Sequence, residues 1–105
     1  MAFMRINYFQ QKPGTTEKMK QEAEDFLAGN DPETSGLLYI LDSFCDTGER
    51  PSIGITIWSD KEKFEASGAR WEKVMEGMAH LLDGPYRREE FELTIHNLPE
   101  RSRND

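Results

Sequence analysis

Two histidines, one cysteine and a few polar residues set among aromatic ones are the side chains of this chain that could carry chemistry. His96 lies in the run Phe91-Glu92-Leu93-Thr94-Ile95-His96, which alternates apolar and polar residues with the period of a β-strand. An imidazole on a covered strand face could move protons near neutral pH, or it could simply be hydrogen-bonded within an interface. The interface is the plainer assignment. His80 lies opposite an apolar helical stripe and reads as solvated. Cys45 stands near Asp42 and Asp46, whose charge disfavours a thiolate, so it reads as an inert thiol. No HExxH, paired-cysteine, glycine-rich phosphate or GxSxG motif occurs, and the histidines are too far apart for metal spacing. No metal and no organic cofactor are expected.

The elements that must position these residues centre on Ser52 to Leu82. Ile53, Ile55 and Ile57 alternate with Gly54, Thr56 and Trp58, which predicts a strand whose isoleucine face is core. Ser59-Asp60-Lys61-Glu62 then has the form of a capping box led by Ser59. From Phe64 the period becomes helical, and Trp71, Val74, Met75, Met78, Leu81 and Leu82 share one stripe that ends at Asp83-Gly84-Pro85. The methionines on it read as core and not as a cofactor box.

Upstream, Ala2 to Gln10 reads as a strand with Met4, Ile6 and Tyr8 on one face and Phe3, Arg5, Asn7 and Phe9 on the other. Pro13-Gly14 breaks it. Thr15 or Thr16 can cap a helix whose apolar positions are Met19, Ala23, Phe26 and Leu27, stopped by Gly29-Asn30. After a turn-rich loop, Leu37 to Phe44 is a strongly apolar strand, joined through Asp46 to Pro51 to the isoleucine strand. Tyr86 to Glu90 reads as a charged connector, and Phe91 to Leu98 as the last strand, ended by Pro99.

At 105 residues one domain is expected, spanning residues 1–99 with 100–105 as a charged tail. The net charge of −7 opposes nucleic acid and anionic lipid as partners. No apolar run approaches the roughly 20 residues of a membrane span, so no membrane association and a cytoplasmic location are the default. The single cysteine agrees with a reducing compartment.

The order βαββαβ predicts a ferredoxin-like α+β fold: a four-stranded antiparallel sheet with two helices on one face and the first strand between the third and fourth. The other face must meet solvent, a ligand or a second subunit, and Phe3, Phe9 and Trp58 argue against plain solvent. In this scheme Asn7, Thr56, Trp58, Glu92, Thr94 and His96 project together from that uncovered face. Polar groups beside aromatic surface suit a small-ligand site, and they suit a dimer interface equally well.

Over almost the whole chain this layout, with Ile55-Thr56-Ile57-Trp58 followed by a capped helix entering at Phe64, resembles the antibiotic biosynthesis monooxygenase-like family. The resemblance implies a homodimeric α/β barrel in which two such sheets face one another. The family includes cofactor-independent oxygenases of polycyclic quinols or anthrones, heme-degrading monooxygenases and many small proteins of unassigned role. Heme-degrading members carry an Asn on the first strand, matched by Asn7, a Trp at the position of Ser67, and a His near residues 74 to 76, where this chain has none. Many oxygenase-like members have a His at the Ser67 position, which this chain also lacks.

The resemblance therefore implies a homodimer that binds a small hydrophobic or aromatic molecule and oxygenates it without metal or organic cofactor, but does not degrade heme. Asn7 and His96 are the expected catalytic residues, with Asn7 orienting and His96 moving protons. Arg5, Thr56, Trp58, Glu92 and Thr94 are the expected ligand contacts, with Trp58 as a wall. The alternative is a non-catalytic ligand-binding or dimerisation module of the same fold.

Overall fold

The structure, a computed structural model, describes residues 1–28 and 36–96. The predicted Gly29-Asn30 helix stop, the loop through residues 31–35, the Leu98-Pro99 strand end and the 100–105 tail lie outside the described residues. So do the side chains of Phe26 and Leu27. The elements run β1 (Ala2–Phe9), α1 (Thr16–Ala28), β2 (Leu37–Ser43), β3 (Ser52–Trp58), α2 (Lys61–Gly77), a 3-10 turn (Ala79–Leu81) and β4 (Arg87–Leu93).

The strands form one antiparallel sheet in the order β2-β3-β1-β4, with β1 between the third and fourth strands as expected. β1 pairs with β3 from Phe3 opposite Trp58 to Phe9 opposite Ser52. It pairs with β4 from Ala2 opposite Leu93 to Tyr8 opposite Arg87. This is the predicted ferredoxin-like α+β arrangement.

Which face the helices cover is the reverse of the expectation. Residues directly opposite in an antiparallel pair share a face, so Arg5, Asn7, Thr56 and Trp58 lie together, and all four are buried. Arg5 hydrogen-bonds residues of α2, which makes this the helix-covered face. The isoleucines of β3 lie on the bare face with Met4, Ile6 and Tyr8. Strand alternation separates two faces without naming the covered one. Here Arg5 goes under the helices because its guanidinium finds Ser67, Phe64 O and Glu90 there.

β4 begins earlier than predicted, since the supposed connector is itself paired. Each charge in it has an outlet. The Arg87 guanidinium sits 4.2 Å over the Tyr8 ring, Arg88 donates to Gly68 O at 3.4 Å and meets Glu72 at 3.6 Å, and Glu90 meets Arg5 at 2.8 Å. The strand then ends at Leu93, leaving Thr94 and His96 beyond it.

The cap of α2 is Asp60 and not Ser59: its carboxylate accepts from the Lys63 N–H at 2.9 Å. Ser59 instead donates its N–H to Gly36 O at 2.8 Å. The helix closes at Gly77 and the chain tightens into the 3-10 turn, after which Asp83 N–H donates to Gln10 O at 2.7 Å. The start of α1 is held from a distance. Asp46, in the β2–β3 loop, accepts both the Thr16 N–H at 3.1 Å and the Thr16 hydroxyl at 2.5 Å.

Phe9, Met19, Met75, Met78, Leu81 and Leu82 form the buried apolar cluster, with Phe44, Val74 and Tyr86 packed against it. The helical stripe predicted from Trp71 to Leu82 therefore does face the core. On the bare side Tyr39, Leu41 and Phe91 are 53%, 51% and 43% exposed.

Candidate functional site

On the helix-covered face, Asn7, Gly54 and Asp42 stand in one row across β1, β3 and β2. Gly54 contributes no side chain, so the row has a gap between an amide and a carboxylate. Thr56 and Ile40 form the next row. Above them, Met19 of α1 and Trp71, Val74, Met75 and Met78 of α2 complete a cavity of about 40 Å³.

Its polar groups are few. Asn7 is 7% exposed and Thr56 is 6% exposed, and neither Asn7 Oδ1 nor Thr56 Oγ1 has a hydrogen-bond partner. A buried polar atom without a partner costs roughly 1–3 kcal/mol, so two of them beside one cavity point to a ligand or solvent molecule that satisfies them. Asp42 lies on the edge strand and is exposed there, although it also lines the cavity. A Cβ built on Gly54 would lie 3.2 Å from Asp42 Oδ1 and 3.8 Å from Phe9 Cε1, so the carboxylate leans over the glycine. Desolvation there raises the Asp42 pKa above its ordinary value.

The expected site residues divide into two groups. Asn7 and Thr56 meet at the cavity. Arg5 does not: its guanidinium donates to Ser67 Oγ at 2.6 Å, to Phe64 O at 2.8 Å and to Glu90 Oε2 at 2.8 Å, which ties β1 to α2 and β4. Trp58 is fully buried and its Nε1 has no partner, but it stands in the Phe3 row, away from the cavity. Glu92 lines a shallow groove with Phe3, Lys61, Phe64 and Glu90. Thr94 faces a separate groove with Met1, Leu38 and Ser59, and His96 is exposed past the end of β4. The predicted joint cavity of Asn7 and His96 is thus not formed, because β4 ends too early to carry His96 over the sheet.

Cys45 also departs from expectation. A hydrogen bond with Thr47 and the backbone N–H groups of Arg50, Glu49 and Gly48 lower its pKa, against an opposing rise from desolvation. Among the described residues no group of three or more His, Cys, Asp or Glu side chains could hold a metal. No helix among them is long and apolar enough to cross a membrane.

Of the residues lining the cavity, the sequence reading assigned only Asn7 and Thr56 to the site; Asp42, Gly54 and Trp71 are among those it did not. One signal was available: Asp42 is the lone charge in Leu37-Leu38-Tyr39-Ile40-Leu41-Asp42-Ser43. Gly54 directly opposite it gave no sign of being a floor.

No protein-family model matches the sequence, and no curated protein matches it. Solved structures do resemble it. One, named as an antibiotic biosynthesis monooxygenase from Caulobacter crescentus, superposes with a TM-score of 0.67 at 13% identity, covering 90% of this chain and 91% of that one. SnoaB, a cofactor-independent oxygenase from Streptomyces nogalater solved as a point mutant, gives 0.64 at 16% identity, covering 94% and 98%. A point mutant of MhuD, with two manganese protoporphyrin IX bound per active site, gives 0.63 at 18% identity, covering 92% and 99%. The chain therefore has the fold of the antibiotic biosynthesis monooxygenase-like proteins, as the sequence resemblance implied.

Proposed function

We propose that this protein is a homodimer that binds a small aromatic molecule between sheet and helices and oxygenates it without metal or organic cofactor. The observation that carries the binding is the apolar cavity with the unpartnered Asn7 Oδ1 and Thr56 Oγ1 on its floor. Such a site desolvates a ring and orients it through a few polar atoms. Asn7 is the orienting residue, and the wall role expected of Trp58 passes to Trp71. Three methionines, Met19, Met75 and Met78, line the helix side, and their unbranched side chains can repack around a ring.

In the proposed reaction an acidic CH2 of the substrate loses a proton, and the carbanion gives its electron pair to dioxygen with formation of a C–O bond. The peroxide takes up the proton and loses water, leaving a carbonyl. One dioxygen is consumed and one water is released for each CH2 converted. SnoaB, a cofactor-independent oxygenase on this fold, supports the class.

The residues do not fit a porphyrin. Neither histidine lines the cavity, and Ser67, at the position where heme-degrading members have a Trp, is buried against Arg5.

Dimerisation is supported by the bare face, where Ile53, Ile55 and Ile57 stand beside Met4, Ile6 and Tyr8 with Tyr39, Leu41 and Phe91 exposed around them. Continuous apolar surface of this kind marks an interaction site.

A second reading, non-catalytic binding, is favoured by one observation. The cavity of about 40 Å³ is far below the roughly 300–1,000 Å³ of pockets that enclose larger ligands. Oxygen uptake in the presence of anthrone separates the two readings. Oxygenation predicts uptake and quinone absorbance above the buffer rate, reduced in Asn7→Ala. Uptake at the buffer rate leaves only binding.

A further inference from the structure

We propose that the cavity of the free protein is a structural hydration site, in which water links Asn7 Oδ1 to Thr56 Oγ1 and so couples β1 to β3 beneath the helices. This goes beyond the reading above, since it concerns the free protein and does not require that a larger molecule bind.

Register sets the two residues at the right separation. Asn7 stands opposite Gly54 and Thr56 opposite Arg5, so Asn7 and Thr56 are diagonal neighbours on one face of the β1–β3 pair. Cα atoms in that relation are about 7–8 Å apart, too far for two short side chains to bond directly and close enough for one or two waters to span. The gap above Gly54 adjoins both, with Asn7 across the ladder and Thr56 two residues along the strand.

Within the protein neither oxygen has another outlet. Both residues are more than nine-tenths buried, and both oxygens lack a partner. Arg5, in the row of Thr56, commits its guanidinium to Ser67 Oγ, Phe64 O and Glu90 Oε2. Asn7 Oδ1 can only accept, so the water donates to it, while the Thr56 hydroxyl can complete the link as donor or acceptor.

The size of the cavity fits this occupant. A buried water needs roughly 10–15 Å³ measured by the volume open to its centre, so a cavity of about 40 Å³ has room for two. Cavities with purely apolar walls stay empty, and those offering each water two or more polar partners fill. Phe9, Met19, Met75 and Met78 make the rest of this lining apolar, which confines the water to the sheet side.

The test combines a direct and an energetic readout. In protein labelled with carbon-13 at the methionine methyls, NMR should detect Overhauser contacts from long-lived water to Met19, Met75 and Met78. Thr56→Ser, which keeps the hydroxyl, should preserve these contacts, and the double variant Asn7→Leu/Thr56→Val should lose them. Under urea, Asn7→Leu and Thr56→Val should each raise the unfolding equilibrium constant about tenfold, because each leaves the other oxygen poorly satisfied. The double variant should unfold no more readily than the less stable single variant, since the last unpaired oxygen has gone with its neighbour. A wild type without long-lived water at the methyls overturns the proposal, and needs no variant to fold. Contacts retained in the double variant, or single effects that simply multiply, also overturn it. Failure of anthrone oxidation would alter none of these outcomes, so the two readings stand or fall separately.

Discussion

The Arg5 guanidinium donates to Ser67 Oγ at 2.6 Å, and that hydroxyl in turn donates to Phe64 O at 2.7 Å. Arg5 is 1% exposed and its pKa is lowered by burial, opposed by the hydrogen bond and charge of Glu90. Ser67 is a hydrogen-bond relay that seats α2 on the sheet. Ser67→Ala should therefore lower stability by about 1–2 kcal/mol, since it strips a buried donor of its acceptor. Urea unfolding measures this. A variant as stable as the wild type would show the relay to be incidental.

Dimerisation through the bare face predicts a sedimentation-equilibrium mass of two chains at micromolar concentration, with roughly 1,200–2,000 Å² buried in total. Leu41→Glu places a charge where the single chain leaves the residue 51% exposed, so the fold should survive while the dimer dissociates. A monomeric wild type would leave the apolar face unexplained and sink the barrel arrangement.

Asp46 makes the anchoring of α1 sensitive to pH. Its hydrogen bonds to Thr16 hold its pKa below the ordinary carboxylate value. A carboxylate with a depressed folded-state pKa contributes stability above the unfolded value, and that contribution is lost as pH falls through the folded one. Asp46→Asn should melt below the wild type at neutral pH, and the gap should close in acid. Parallel melting curves at every pH would exclude the anchor.

Asp42 behaves in the opposite sense. Its raised pKa means that the folded state binds the proton more tightly than the unfolded chain, so the associated stability is present in acid and lost as pH rises through the folded value. Asp42→Asn should consequently gain on the wild type between acid and neutral pH. Parallel melting curves for the two proteins at every pH would exclude a raised Asp42 pKa.

Hemin offers a separate check. With a reductant present, the Soret band should persist, because no histidine lines the cavity and Ser67 supplies no ring. Stoichiometric binding followed by loss of that band would overturn the porphyrin exclusion.

The layout was legible because it rests on periodicity and punctuation: the alternating isoleucines of β3, the helical stripe from Trp71 and the Pro13-Gly14 break each mark an element without reference to its neighbours. That Asn7 and Thr56 share a face was legible for a related reason, being polar positions at matching parity within strands, and both line the cavity. Their side of the sheet was not. Covering one face rather than the other depends on whether Arg5 finds Ser67 and Glu90, and those partners lie 62 and 85 residues away. His96 lies away from the cavity through register, because Arg87 to Glu90, which had looked too charged to pair, are the strand itself. Asp42 was missed because its reach depends on the absence of a side chain at Gly54, across a strand pair.

Between Leu37 and Tyr39 the β2–β3 ladder shifts register, with Leu37 opposite Trp58 and Tyr39 opposite Ile57. In terms of tolerance to changes in chain length, β2 carries one residue of slack upstream of everything that matters for the cavity. Deleting Leu38, which is 46% exposed, would leave a regular ladder and keep Ile40 and Asp42 where they are. Deleting one residue between Tyr39 and Leu41 would send alternate side chains to the other face. The cavity can therefore absorb the loss of a residue on one side of Tyr39 and not on the other.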